Sequence, residues 1–269
     1  MTGYLRWVPP RIDMSVAHPA RMHDYWLGGG RNFAADRELA EKIIRMMPGV
    51  EDVARLNQAF LRRAALFMVE QGIRQFLDIG SGIPTVGNLH EIVRRAAPEC
   101  RVVYVDGDPV AVAHTELLLE DVGGTAVLLA SLRDIPGVLD AEATRELLDL
   151  DAPIGLIAPM LHFIPDAADP ACILAGYRDR LASGSYMAIA HGTADTEVPG
   201  LAEVIEAYRS THHPVYPRTH AEILRMCAGF DLVEPGLVGF AHWRPEDPAD
   251  LSPYPGINSM FYAAVGRKP

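Results

Sequence analysis

Apolar positions along this chain change their spacing once, near residue 72. Upstream they recur at Leu39, Ile43 and Met46 or Met47, then at Leu56, Phe60, Ala64 and Phe67, close to the helical period of about 3.6 residues. Pro48-Gly49 separates the two runs and Gly72 stops the second, so two helices, over 36–47 and 55–71, are predicted ahead of any strand. Residues 1–20 are punctuated by proline and lack an apolar period, which reads as an extended arm. Downstream, short apolar runs at 75–79, 101–105, 126–129, 154–158, 185–190, 232–236 and 260–265 alternate with helical stretches. The helix ends are legible. Asp108-Pro109 and Asp169-Pro170 each set a capping side chain before a proline, Thr219 and Glu222 form a capping box, and Gly123 and Gly184 stand where stops are needed. Such alternation predicts an α/β fold: a Rossmann-like, seven-stranded, mostly parallel sheet with helices on both faces and extra N-terminal helices. Residues 1–72 are expected to form an arm and a helical cap or lid, and 73–269 the ligand-binding sheet, packed as one unit.

Composition narrows the function. Among 269 residues, 24 Lys+Arg face 35 Asp+Glu, a formal charge of −11, which disfavours a nucleic-acid partner because that affinity is built from neutralised phosphates. Cys100, Cys172 and Cys227 lie far apart, so neither a disulfide framework nor a cysteine-rich zinc site is expected, and a reducing, cytoplasmic setting fits. The uncharged run 152–165 is too short and too rich in proline to span a bilayer. His212-His213 with His220 has no accompanying carboxylate cluster and reads as polar residues facing solvent, so no metal is expected.

The sharpest local signal is Phe76-Leu77-Asp78-Ile79-Gly80-Ser81-Gly82-Ile83-Pro84-Thr85, a buried strand entering a glycine turn and then a helix. Glycine at 80 and 82 permits a sharp turn that a ligand can approach closely, although a plain βα turn has the same look. The second strand ends in Asp106-Gly107-Asp108, 26 positions after Gly80, where an acid can accept from both ribose hydroxyls of a nucleoside. Asp108 reads as an N-cap. A dinucleotide asks for a third glycine where this chain has Thr85, and Lys occurs only at 42 and 268, so no phosphate-binding lysine follows the turn. The common nucleoside ligand without a phosphate is S-adenosylmethionine.

With these motifs the sequence resembles the class I S-adenosylmethionine-dependent methyltransferases, and more closely a bacterial S-adenosyl methyltransferase family, formerly a domain of unknown function. The resemblance rests on Ala20-Arg21, Asp24-Tyr25, Leu27-Gly28-Gly29, Asn32-Phe33 and Asp36-Arg37, on the segment 75–85, and on Val103-Tyr104-Val105-Asp106. It continues through Leu161-His162, Pro165-Asp166, Gly184-Ser185-Tyr186, Arg218-Thr219, Glu222-Ile223, Gly229-Phe230, Pro235-Gly236 and Trp243-Arg244-Pro245, nearly the whole chain. It implies a cofactor site drawn from Arg21, Tyr25, Gly28, Asn32, Phe33, Asp78, Gly80, Ser81, Gly82, Asp106, Gly107, Ser131, Leu132, Pro159 and Met160. Asp78 would organise the loop receiving the amino-acid end of the cofactor. In one departure, Ser131 stands where the family has an acid, and can still accept from the adenine amine.

The fourth strand leads into Pro159-Met160-Leu161-His162-Phe163, where such a fold places the methyl group and its acceptor. The segment lacks both the N/D-P-P-Y/F-like turn of adenine amino-methyltransferases and the Pro-Cys of cytosine-C5 enzymes, which points to a small-molecule acceptor. His162 reads either as a general base or as a packed loop histidine. Residues 21–33, with three successive glycines and Tyr25, Trp26 and Phe33, read as a lid over the cofactor, its aromatics either facing the sulfonium or anchoring the cap. Two rival functions remain: a non-catalytic sensor of S-adenosylmethionine or S-adenosylhomocysteine, and an NAD(P)-dependent reductase.

Overall fold

A computed structural model describes residues 13–84 and 87–269. The first twelve residues of the arm and Thr85, the position argued against a dinucleotide, lie outside the described residues. Among the described residues three helices, not two, precede the sheet: α1 (Pro19–Trp26), α2 (Ala34–Met46) and α3 (Val50–Glu70). The additional helix corrects the loop-like reading of the start of the 21–33 segment, since 21–26 are helical. His18 caps it by accepting from the Ala20 N–H at 3.3 Å, and Pro19 opens it with a preset φ. At 8 residues it is too short to display a period that stands out from its flanks.

The remainder runs β1 (Gln75–Ile79), α4 (Leu89–Ala96), β2 (Arg101–Asp106), α5 (Pro109–Leu119), β3 (Thr125–Leu129), α6 (Ile135–Leu139), α7 (Glu142–Leu147) and β4 (Gly155–Ala158). Then follow α8 (Pro170–Arg180), β5 (Tyr186–Gly192), α9 (Leu201–Tyr208), α10 (His220–Met226), β6 (Asp231–Leu232), β7 (Val238–Gly239) and β8 (Phe261–Arg267). The sheet order is β3-β2-β1-β4-β5-β8-β6, with β7 pairing with β8. Strands β1 to β5 are mutually parallel, while β8 runs antiparallel to β5, β6 and β7. The doubly wound sheet is as expected, with eight strands where seven were predicted. The extra one, β7, is two residues long and shows no alternation to read. The run at 232–236 contributes only Asp231–Leu232, because Pro235 has no N–H for the ladder and the Gly236 N–H turns back to the Val233 carbonyl at 2.8 Å.

Each sheet face carries its own core. On one, Leu56, Phe60, Ala64 and Met68 of α3 are fully buried against Phe76, Ala188, Trp243 and Val265, with Phe60 edge-on to Trp243 at 5.6 Å. On the other, Leu77, Ile79, Val103 and Leu156 meet Val138, Leu174, Tyr177 and Ile223. Strands buried on both faces read as continuous apolar runs, which is why β1, β2 and β4 stood out in the sequence. The predicted caps form: the Asp108 carboxylate accepts from Val110 at 3.0 Å, that of Asp169 from Cys172 at 3.2 Å, and Thr219 and Glu222 cap each other's backbone. Between β1 and β4 the winding reverses, so a crevice opens beyond their carboxyl ends.

Candidate active site

Two adjoining cavities occupy that crevice. The first is lined by Asp78, Gly80, Ser81 and Gly82 from the glycine turn, by Pro159 and Met160 after β4, and by α3, α4 and Tyr104. The second lies over Met160, His162 and Phe163 and is walled by α3, α9, Met260 and Phe261. His23, Asn57 and Met160 face both. Helix α1 roofs the pair: Ala20 and His23 face the first cavity, and Pro19, His23 and Trp26, at helical spacing, face the second.

The glycine turn is built from backbone bonds. The Val105 carbonyl accepts from the Gly80 N–H at 2.8 Å and the Ser81 N–H at 3.2 Å, and Gly80 takes a φ of 78° that favours glycine. A Cβ on Gly80 would sit 3.4 Å from Met160 Cβ and 3.7 Å from Leu132 Cδ2, so the loops after β3 and β4 flank the turn. Asp106, at the end of β2, accepts the Gly82 N–H at 2.7 Å and the Asp108 N–H at 2.7 Å, tying the two nucleoside motifs together. Burial pushes its carboxyl up to about 6, against those hydrogen bonds, which favour the anion. Asp78 is buried at 8% exposure, and its carboxyl is raised to about 7 by desolvation and then by the Asp106 charge. Asp78 Oδ1 and Ser81 Oγ are buried, line the first cavity and have no hydrogen-bond partner. Unpaired buried polar atoms are costly unless a ligand completes them.

The other expected residues fall in different places. Gly107 and Ser131 follow β2 and β3, and Ser131 Oγ accepts from the Arg133 N–H at 3.3 Å; the Leu132 carbonyl accepts from the Tyr177 hydroxyl at 2.9 Å. Neither these nor Asp106 line the first cavity. Arg21 is 3% exposed, held by Asp36 at 2.8 Å and by the Val16 carbonyl at 2.7 Å, with its guanidinium 5.2 Å from the Phe33 ring centroid. Phe33 packs with Ala20, Ile83, Val110 and Ala111. Tyr25 hydrogen-bonds Glu41, and the Asn32 amide donates to Asp24 at 2.9 Å and to the Gly29 carbonyl at 3.0 Å, around the left-handed Gly28. These three brace the α1–α2 turn. The Arg31 guanidinium carries the turn to the Pro84 carbonyl at 2.7 Å, beside the glycine turn.

His162 is 5% exposed, in the second cavity, with Nδ1 unpartnered; burial first, then His191 and Arg218, hold its basicity well below the usual imidazole value. His213 meets His18 edge-on at 4.3 Å, not a metal set, and no group of three or more His, Cys, Asp or Glu among the described residues is placed to hold an ion. Sequence reasoning missed His23 and Asn57. Asn57 had a readable signal: it is a polar residue in the apolar stripe of Val53, Leu56, Phe60 and Ala64.

The S-adenosyl methyltransferase family matches residues 6–269. A DUF574-family protein from Streptomyces avermitilis MA-4680 is 40% identical, covers 96% of this chain and 100% of its own, and superposes with a TM-score of 0.91. A candidate methyltransferase from Thermobifida fusca YX is 39% identical over 98% of this chain and 99% of its own, with a TM-score of 0.89. No curated protein matches the chain. The doubly wound sheet with its antiparallel β8 is shared with both relatives, and the unpaired Asp78 and Ser81 oxygens fit S-adenosylmethionine, which offers an ammonium and hydroxyls where polar partners are lacking. Family match, near-complete superposition and site chemistry agree, and the chain belongs to the S-adenosyl methyltransferase family, with S-adenosylmethionine as its cofactor.

Proposed function

We propose that the protein is a methyltransferase whose cofactor occupies the first cavity and whose small-molecule acceptor occupies the second. The observation that carries this reading is the shared wall: His23, Asn57 and Met160 face both cavities, so ligands in the two would meet there. An acceptor oxygen or nitrogen displaces the methyl from its sulfonium, leaving the thioether S-adenosylhomocysteine, and sheds its own proton. The chain's contribution is alignment and exclusion of water, which suits a displacement between two bound partners. Asp78 would hold the ammonium end inside the first cavity, and Asp106, which lies outside its lining but is bonded to the Gly82 N–H at its edge, would receive the ribose where the cofactor extends past the glycine turn. His162, neutral at physiological pH, would accept a hydrogen bond from the acceptor at Nδ1. An acceptor O–H grows strongly acidic as its new bond to carbon forms, so even a weakly basic imidazole can take that proton.

The test is calorimetry with S-adenosylhomocysteine and NADH, followed by incubation with methyl-labelled S-adenosylmethionine and a bacterial small-molecule extract. Binding of S-adenosylhomocysteine with label appearing in a small molecule is expected. Binding without transfer would favour the sensor reading, and tighter binding of NADH would favour a reductase.

A further inference from the structure

The second cavity combines three features that define its occupant. Its lining holds no Asp, Glu, Lys or Arg. Its polar members are few and incompletely paired: Asn57 Oδ1 and His162 Nδ1, on side chains 7% and 5% exposed, have no hydrogen-bond partner, nor does the buried Trp26 Nε1. Its walls are apolar, aliphatic side chains of α3 and α9 closed at one end by aromatic rings, with Phe261 edge-on to His162 at 5.0 Å and Phe163 inclined to it at 4.3 Å. An ion placed among these groups would lose its hydration without a counter-charge in the lining, since Arg218, which acts on His162 from outside the cavity, is already paired with Asp166 at 2.6 Å; the penalty is several kcal/mol. A wholly apolar guest would leave the unpaired atoms unpaired.

We infer that the second cavity selects an uncharged, planar aromatic molecule bearing a ring O–H or N–H, with Asn57 and His162 as its specificity-determining residues. The Asn57 carbonyl oxygen can only accept, so it asks the guest for a donor; Trp26 Nε1 can only donate, so it asks for a lone pair. A ring hydroxyl answers both types of atom, and a ring N–H answers the first. Flat rings gain from offset or edge contacts with Phe163 and Phe261 beyond the area they bury. Burial also keeps His23, which faces both cavities, neutral at physiological pH by lowering it to about 4, so no imidazolium is available to a carboxylate guest. This inference rests on the second cavity being the acceptor site.

Calorimetry on the full chain saturated with S-adenosylhomocysteine tests it, using 2-naphthol, naphthalene, 2-naphthoate and 2-naphthylmethylamine as probes, with indole as the N–H arm. 2-Naphthol is expected to bind at least about tenfold tighter than naphthalene and than either charged probe, consistent with the cost of an unmet polar group or a bare ion. His162→Phe should shrink the preference for 2-naphthol over naphthalene severalfold. Val204→Phe, which fills the cavity from α9, should abolish naphthol binding and leave the S-adenosylhomocysteine affinity unchanged. Equal or tighter binding of a charged probe, competition between naphthol and S-adenosylhomocysteine, or unaltered naphthol binding in folded Val204→Phe would each overturn the inference. The panel on the unmodified protein decides the matter even if a variant does not fold. Failure of the methyltransferase reading looks different: it is loss of S-adenosylhomocysteine binding or of label transfer, whichever probe the cavity prefers.

Discussion

Asp78 carries the clearest pH signature in the site. Its carboxyl, raised to about 7 by burial and by Asp106, holds its proton in the empty protein at mildly acidic pH, whereas a cationic ligand favours the anion. Binding of S-adenosylmethionine should therefore release a proton below pH 7, and affinity should fall toward tenfold per pH unit as the medium is acidified, the slope of a single linked proton. Calorimetry in buffers of different ionisation enthalpy measures that proton, and Asp78→Asn should flatten the dependence; an identical profile in the folded variant would remove Asp78 from the ammonium site. For the empty fold the sign is opposite to that of a salt-bridged acid. The unfolded chain ionises first, so this group's contribution to stability is complete below about pH 4 and is lost as pH rises toward 7. Asp106→Ala should weaken S-adenosylhomocysteine binding by ~1.5–3 kcal/mol, the range for charge-assisted hydrogen bonds, as read by titration of the folded variant.

The segment joining α1 to α2 behaves as a braced strap. Arg21, one of the residues the family resemblance implies for the cofactor site, is held by Asp36, itself fully buried and also accepting the His18 and Phe33 N–H groups at 2.8 and 2.7 Å. Arg21→Ala should thus cost about 3 kcal/mol in a urea melt, because it strands a buried carboxylate, and Asp36→Asn in the same chain should restore part of it. A variant that keeps its stability and loses cofactor affinity would return Arg21 to the cofactor. Farther along the strap, Arg31 donates both its N–H to Asp24 at 2.7 Å and its guanidinium to the Pro84 carbonyl. Since Pro84 lines the first cavity, a ligand there should steady the strap. Limited trypsin digestion should cut after Arg31 in the empty protein and be suppressed by S-adenosylhomocysteine, and Arg31→Ala should expose the neighbouring peptide bonds to less selective proteases with or without ligand.

The cap and the sheet share one core, since α2 and α3 pack in the same cluster as β2, β5 and β8 residues. We expect a single calorimetric unfolding transition for the whole chain; two separated transitions would divide residues 1–72 from the rest. Much of this architecture was legible beforehand because its causes are local. Strands buried on both faces are continuous apolar runs, the Asp-Pro pairs and the Thr219–Glu222 box announce helix starts, and Gly80 and Gly82 mark a turn no bulkier residue enters easily. Helix α1 and strand β7 were not legible, being too short for a period to emerge. Nor was the side-chain economy of the site. Whether Arg21 meets a ligand or Asp36, whether His162 is exposed or 5% accessible, and whether Asn57 is a misplaced polar residue or the shared wall of two cavities all depend on groups brought together from distant parts of the chain. Short-range pattern settles where strands, caps and turns lie, because it acts through neighbours in sequence. Burial, pairing and the joining of the two cavities arise through neighbours in space, and the chain acquires those only on folding.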